Sequence, residues 1–122
     1  MKEEFINRTF IQTKEFSREW DSLGFNDEDL RHLELMLLQD PKLAPVMQGT
    51  GGLRKMRFAF EHRGKSGSTR ICYVDFVFAE TIYLITCYPK DKKDNLTKAE
   101  RNAIKKIIQM LEKELKGDSS NE

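Results

Sequence analysis

The chain has 122 residues, of which 34% are charged and 39% hydrophobic, a composition that predicts one soluble domain with a modest core. Its formal net charge of +1 excludes nucleic-acid binding through global charge, so any such affinity requires a local patch. No apolar run is long enough to cross a membrane, and the charged start MKEEFINRTF predicts no signal peptide. We therefore expect a cytoplasmic protein with one domain over residues 1–117 and a disordered tail over residues 118–122.

The first third of the chain predicts a short strand followed by a pair of helices. In residues 5–11 the apolar Phe5 and Ile11 flank polar residues, and we interpret this segment as a short strand. Thr13 caps a first helix that carries Trp20 on its apolar face and ends at Gly24. Asn26 caps a second helix, which has a leucine stripe and an acidic first turn. The two helices are expected to form a hairpin that packs on a sheet, with Trp20 as a core residue.

The rest of the chain predicts three strands and a final helix. Residues 41–52, with two prolines and three glycines, form a linker. Strands are then expected at residues 53–60, 69–78 and 81–88, joined by short turns in an antiparallel meander. A capping box at residues 97–100 opens a helix that runs to about residue 116, and its apolar stripe packs either on its own sheet or on a partner. The fold class is therefore α+β, with a mainly antiparallel sheet.

The cysteines and histidines predict neither a disulfide nor a metal site. Cys72 and Cys87 both lie inside apolar, strand-like runs, which is typical of buried free thiols. His32 and His62 have no partners at ligand spacing. We expect no metal and no other cofactor.

Positive charge is concentrated in residues 48–70, which we call the basic hairpin. Its charged residues are Arg54, Lys55, Arg57, Arg63, Lys65, Arg70 and Glu61, which sum to +5, whereas the rest of the chain sums to −4. Side chains alternate across a strand, so Lys55 and Arg57 point to the face opposite that of Met56 and Phe58. The two cations would then stand roughly 6–7 Å apart on one face. Ordinary solvated charges are the alternative, but the alternation favours a polyanion site.

Several motifs in and around the basic hairpin resemble one protein family. With x for an unspecified residue, they are GTGGLRKxR at residues 49–57, GKSG at 64–67, RIxY at 70–73, Tyr83 with Leu84, YxK at 88–90 and DxLT at 94–97 before the last helix. In combination these motifs resemble the RelE/ParE superfamily of type II toxins, in its HigB-like branch, over nearly the whole chain. Ser68 departs from the family pattern, which usually has a second glycine there, but the departure removes no charged group.

The resemblance implies a fold, an activity and a partner. The fold is the small RelE-like domain, and the activity is cleavage of mRNA in the ribosomal A site without a metal. In that reaction the RNA 2′-hydroxyl attacks the adjacent phosphate and leaves a 2′,3′-cyclic phosphate and a 5′-hydroxyl. The partner is a cognate antitoxin, in this branch a helix-turn-helix protein of the HigA type, through which the pair contacts its operator DNA. No membrane partner is expected.

The same reaction defines candidate site residues. It needs a base, positive charge near the developing phosphorane and an acid for the leaving oxygen. Lys55 is the candidate base, because the neighbouring arginines disfavour its ammonium form, and Arg57 and Arg70 are expected to clamp the phosphate. Lys90 is a candidate acid or phosphate contact. The resemblance also implies, by position, that Arg54 and Lys93 contact the substrate, although Lys93 equally fits a solvated charge that steers RNA through a long-range field. The other expected substrate-binding residues are Lys65, His62 and Tyr88.

Structural alternatives exist for some of these residues and for the chain as a whole. Arg54 falls in the core phase of its strand, although at the first turn it can still reach solvent. His62 also fits a flexible surface residue, and Tyr88 fits a core residue as well as a base-stacking one. The alternatives for the whole chain are a ParE-like toxin directed at DNA gyrase, a non-enzymatic RNA-binding module and a protein that only binds its antitoxin. The retained candidate catalytic cations argue against the ParE-like alternative.

Overall fold

The computed structural model of this protein describes residues 6–59, 69–93 and 95–117. These residues form an α+β structure, as predicted, with a four-stranded sheet. The elements in chain order are β1 (Thr9–Gln12), α1 (Lys14–Ser22), α2 (Asp27–Gln39), β2 (Arg54–Phe58), β3 (Thr69–Phe76), a 3-10 turn (Val77–Ala79), β4 (Thr81–Pro89) and α3 (Lys98–Leu115).

The sheet has the strand order β1-β4-β3-β2. Strands β2, β3 and β4 pair antiparallel in chain order, as predicted, and β1 runs parallel to β4. Strand β3 ends at Phe76, two residues before its predicted end, because the chain there enters the 3-10 turn and Glu80 adopts a positive φ of 49°. The predicted first strand is displaced toward α1, and its residue 5 lies outside the described residues, as does residue 60 of the predicted second strand.

Helices α1 and α2 cover one face of the sheet, as predicted. Trp20 is 4% exposed, and its ring centroid lies 5.5 Å from that of Phe16 and 4.6 Å from that of Phe25. Helix α1 begins where Thr13 Oγ1 accepts a 3.0 Å hydrogen bond from the Phe16 amide. The same hydroxyl donates to the Ile85 carbonyl at 2.7 Å, so the cap also attaches the helix to β4.

Helix α3 covers the opposite face of the sheet. Ile108 is 1% exposed and packs with Leu53, Cys72 and Ile85 in one apolar cluster. The predicted stripe of α3 therefore packs on its own sheet, which decides between the two alternatives that the sequence left open. Cys72 and Cys87 are both buried and free, as predicted. Among the described residues, no helix combines the length and the apolar character that a membrane span requires.

A buried ion pair joins the segment before β1 to β3 across the intervening strand β4. Arg8 Nε donates to Asp75 Oδ1 at 2.6 Å, and Arg8 Nη2 donates to Oδ2 at 3.0 Å, which is the bidentate geometry that a guanidinium favours. The two side chains are only 9% and 2% exposed, and the hydrogen bond to Asp75 raises the pKa of Arg8. Both side chains are largely shielded from bulk water, so each charge is stabilised mainly by the other.

Replacing Asp75 with alanine should lower the free energy of unfolding by about 3–5 kcal/mol, because Arg8 would keep its charge in a poorly solvated site. Urea denaturation measures this loss. Glu112→Ala is the matched control, since Glu112 and Lys116 form an exposed pair at 3.3 Å, and it should cost less than about 1 kcal/mol. Equal losses for the two variants would contradict a special role for the buried pair.

Candidate active site

A glycine-rich turn fixes the point at which β2 begins. The buried Thr50 hydroxyl donates to the Met47 carbonyl at 2.7 Å and accepts from the Leu53 amide at 3.0 Å. Gly51 and Gly52 have φ values of 79° and 124°, a region that side chains other than glycine rarely adopt. The turn therefore sets which residues of β2 face each side of the sheet.

The strand register brings three of the predicted cations onto one face. Arg57 lies opposite Arg70, and Arg70 lies opposite Tyr88, while Lys55 lies opposite Cys72. Directly opposite residues share a face and have Cβ atoms about 4.5–5.5 Å apart. This is the side of the sheet that α3 covers in part, because Cys72 and Tyr88 belong to the cluster packed against Ile108.

The loop between β4 and α3 adds a fourth cation to this face. Lys93 Nζ forms a 2.6 Å ion pair with Glu100 Oε2 and lies 5.1 Å from the centroid of the Tyr88 ring. Lys55 Nζ donates to Asn95 Oδ1 of the same loop at 3.0 Å. We call Lys55, Arg57, Arg70 and Lys93 the cationic face. Arg57 is exposed, Lys55 and Lys93 are half-buried, and Arg70 is only 8% exposed.

The Cys72 thiol reports how closely the cations converge. Burial raises its pKa to about 12, and the positive charges of Lys55, Lys93 and Arg70 all act in the opposite direction. Three members of the cationic face therefore act electrostatically on one buried sulfur atom. The high pKa also keeps Cys72 protonated at neutral pH, so it is not a nucleophile there.

Tyr88 lies beneath the loop between β4 and α3, and its hydroxyl is buried. Its side chain is 5% exposed, and among the described residues Oη is buried with no hydrogen-bond partner stronger than the neighbouring Cys72 thiol. It lies beside the Cys72 thiol, and burial raises the pKa of Tyr88. The sequence allowed two roles for Tyr88, a core residue or a residue that stacks on a base. In this conformation it is a core residue with Lys93 over its ring.

Of the remaining predicted residues, the structure describes Arg54 and Lys90. Arg54 lies opposite Tyr73, in the strand phase that faces α2, and its Nη1 donates to the Ala44 carbonyl at 2.6 Å. Lys90 is exposed in the turn after β4. His62 and Lys65 lie outside the described residues. Within residues 6–59, 69–93 and 95–117 no group of His, Cys, Asp and Glu side chains has the arrangement of a metal site.

Two residues at this site were missed by the sequence reasoning. Glu100 was identified only as part of a helix cap, although its carboxylate also contacts Lys93. A carboxylate in a capping box directly after a lysine-rich loop is a signal that could have found it. Asn95 carried no such signal, because its contact with Lys55 spans 40 positions in the chain.

By its fold and its grouped cations, this chain is a small α+β protein with a positively charged site on one face of its sheet. Comparison with known proteins then gives the family. Residues 7–118 match the family model described as the RelE toxin of the RelE / RelB toxin-antitoxin system. This protein therefore belongs to the RelE toxin family, within the RelE/ParE superfamily, and the family implies a cognate antitoxin as its partner.

The fold is also similar to that of a solved relative. That structure is a double arginine-to-alanine mutant of the E. coli toxin RelE in the free state. The match has a TM-score of 0.53 and 13% sequence identity, and it covers 72% of this chain and 88% of the other. At this identity the likeness is evidence for the fold, and it confirms the predicted RelE-like architecture.

Replacing Tyr88 with phenylalanine should leave the free energy of unfolding unchanged or raise it by up to about 1 kcal/mol, because the buried hydroxyl has only the weakly hydrogen-bonding Cys72 thiol beside it among the described residues. Tyr73→Phe is the matched control. The Tyr73 hydroxyl donates to the buried Pro41 carbonyl at 2.8 Å, and its removal should cost about 1 kcal/mol. Thermal or urea unfolding of both variants measures the difference, and a larger loss for Tyr88→Phe would contradict the assignment.

Proposed function

We propose that this protein is a ribosome-dependent mRNA endonuclease of the HigB-like branch, and that its toxicity comes from cutting translated messages. The observation that carries the proposal is the row formed by Arg57 and Arg70 with Lys55 beside it, three cations on one sheet face. Membership in the RelE toxin family supports the class of function. The toxin domain would span residues 1–117, with residues 118–122 as a tail.

The proposed reaction needs positive charge more than it needs any other group. The 2′-oxygen of the RNA forms a bond to the adjacent phosphorus, the bond from phosphorus to the 5′-oxygen breaks, and charge accumulates on the non-bridging oxygens. Arg57 and Arg70 would bind those oxygens, because a guanidinium can contact two of them at once. The row geometry supports this role, since neighbouring guanidinium groups on one face can reach the same phosphate.

Proton transfer is assigned to lysines in this proposal. Lys55 would take the proton of the 2′-hydroxyl, and Lys90 would protonate the 5′-oxygen or contact the phosphate. Lys55 stands beside the arginine row, and its Nζ donates a 3.0 Å hydrogen bond to Asn95 Oδ1. Lys93 would contribute further positive charge from the loop, and no metal ion takes part in the proposed steps.

The proposal also implies two partners, an antitoxin and the ribosome. A helix-turn-helix antitoxin of the HigA type would silence the toxin and carry the operator DNA contacts of the pair. The ribosome would present the message, which implies a cytoplasmic site of action. A ribosome-bound message is the preferred substrate in this scheme because the net charge of +1 provides little general attraction for RNA.

A second candidate is a non-enzymatic phosphate clamp on RNA. It is favoured by the contacts of Lys55 and Lys93, both of which donate hydrogen bonds from their side-chain nitrogens in this conformation. A clamp needs only those charges, whereas an endonuclease must also cut the message. The two candidates therefore differ in whether induced expression produces new 5′ ends in translated RNA.

Replacing Lys55 or Arg57 with alanine should lower mRNA cleavage by about 10²–10³-fold, because each variant removes a group that acts in the transition state. Primer extension on messages after induction measures the loss, with growth arrest as a second readout. Lys113→Ala is the matched control, since this exposed lysine lies in the last turn of α3, and it should cleave like wild type.

Binding of the cognate antitoxin should persist in the Lys55 and Arg57 variants, which separates lost chemistry from lost folding. Full cleavage by both variants, with the fold intact, would contradict the proposed site. Equal cleavage of naked RNA and translated RNA by the wild type would instead indicate a ribosome-independent nuclease. Binding of RNA without new 5′ ends would favour the phosphate clamp.

A further inference from the structure

The carboxylate of Glu100 forms an ion pair with Lys93, one of the four cations of the proposed RNA site. Glu100 Oε2 lies 2.6 Å from Lys93 Nζ, and the two side chains are 40% and 36% exposed. Lys93 also lies over the ring of Tyr88, which is next to Arg70 in the strand register. The ion pair is therefore at the edge of the surface that would receive the phosphate chain of an RNA.

The carboxylate is fixed independently of its contact with Lys93. Glu100 Oε1 accepts a 2.9 Å hydrogen bond from the Thr97 amide, and Thr97 Oγ1 accepts one of 3.1 Å from the Glu100 amide. This reciprocal capping box lies at the N-terminus of α3, where the helix dipole also favours a negative charge. The hydrogen bond from Lys93, followed by that from Thr97, lowers the pKa of Glu100.

These contacts place a permanent anion beside the RNA site. A phosphate that approaches Lys93 must either displace the Glu100 carboxylate from it or share the ammonium group. Because the capping box holds Glu100 in place, its charge remains near the phosphate after Lys93 has moved. The carboxylate thus opposes binding of any polyanion at this edge, and the opposition is modest because both side chains are partly solvated.

We propose that Glu100 is a specificity-determining residue that holds Lys93 and so weakens binding of free RNA. The inference rests on the proposed function, because it takes the cationic face as the RNA site. A message fixed on the ribosome presents its phosphates to several cations at once and displaces the carboxylate. A free single strand makes fewer simultaneous contacts and is held back by it. Glu100 therefore biases the toxin toward presented messages.

The direct test is Glu100→Gln, which removes the charge but keeps an amide oxygen that can accept from Thr97. Binding of a short fluorescent single-stranded RNA should tighten by about two- to fivefold, the strength of a partly exposed ion pair. The salt dependence should steepen by about 0.7 in log–log slope, which corresponds to one additional phosphate contact on a single strand. Fluorescence anisotropy at several salt concentrations measures both quantities.

Two further variants identify the source of the gain. Adding Lys93→Ala to the Glu100→Gln protein should abolish both the tighter binding and the steeper slope. Glu112→Gln is the matched control, because it breaks a similar pair with Lys116 at the other end of α3 and should bind RNA like wild type. Unchanged or weaker binding by Glu100→Gln overturns the proposal, as does a gain that persists without Lys93.

A measurement on the wild type keeps the proposal testable if Glu100→Gln does not fold. The side-chain nitrogen signal of Lys93 in an NMR spectrum should shift when saturating RNA takes the ammonium group from Glu100. An unchanged signal at saturation overturns the proposal. Failure of the proposed function has a different signature: the RNA-binding changes occur as expected, while the wild type cuts no message on the ribosome.

Discussion

The register of β2, β3 and β4 is the constraint on which the cationic face depends. A slip of β2 by one residue would turn Lys55 and Arg57 toward α2 and expose Met56 and Phe58 instead. Met56 and Phe58 are 4% and 2% exposed and belong to the cluster beneath the helical hairpin. Apolar packing on one face of the sheet therefore orients the positive charges on the other. The glycine-rich turn before β2 supports the same register by fixing where the strand begins.

The loop between β4 and α3 adds Lys93 and Asn95 to the same face of the sheet. Glu100, in the capping box at the start of α3, both caps the helix and contacts Lys93. The packing of α3 on the sheet through Ile108 thus determines where Glu100 holds the ammonium group of Lys93. Helix packing and site electrostatics are coupled at this point, and a change in one is expected to alter the other.

Sequence patterns predicted the elements well because caps and alternation depend on neighbours within one or two turns. The three helix caps and the shared face of Lys55 and Arg57 are of this local kind. The contacts of Lys93 with Glu100 and of Lys55 with Asn95 are different, because they depend on the path of a loop across the sheet. Their partners are separated by 7 and 40 positions, and no periodic pattern specifies such pairs. The end of β3 at a 3-10 turn was missed for a related reason, since its apolar residues also suit a strand.

The central claim is that Arg57 and Arg70 act on one phosphate, and a double-mutant cycle tests it most directly. Arg57→Lys and Arg70→Lys keep the charge but lose the planar fork of the guanidinium. Cleavage of a message on programmed ribosomes is measured for wild type, both single variants and the double variant. The account predicts strongly coupled effects, in which the double variant loses little more activity than either single one. Independent effects, in which the two fold-losses multiply, would contradict it.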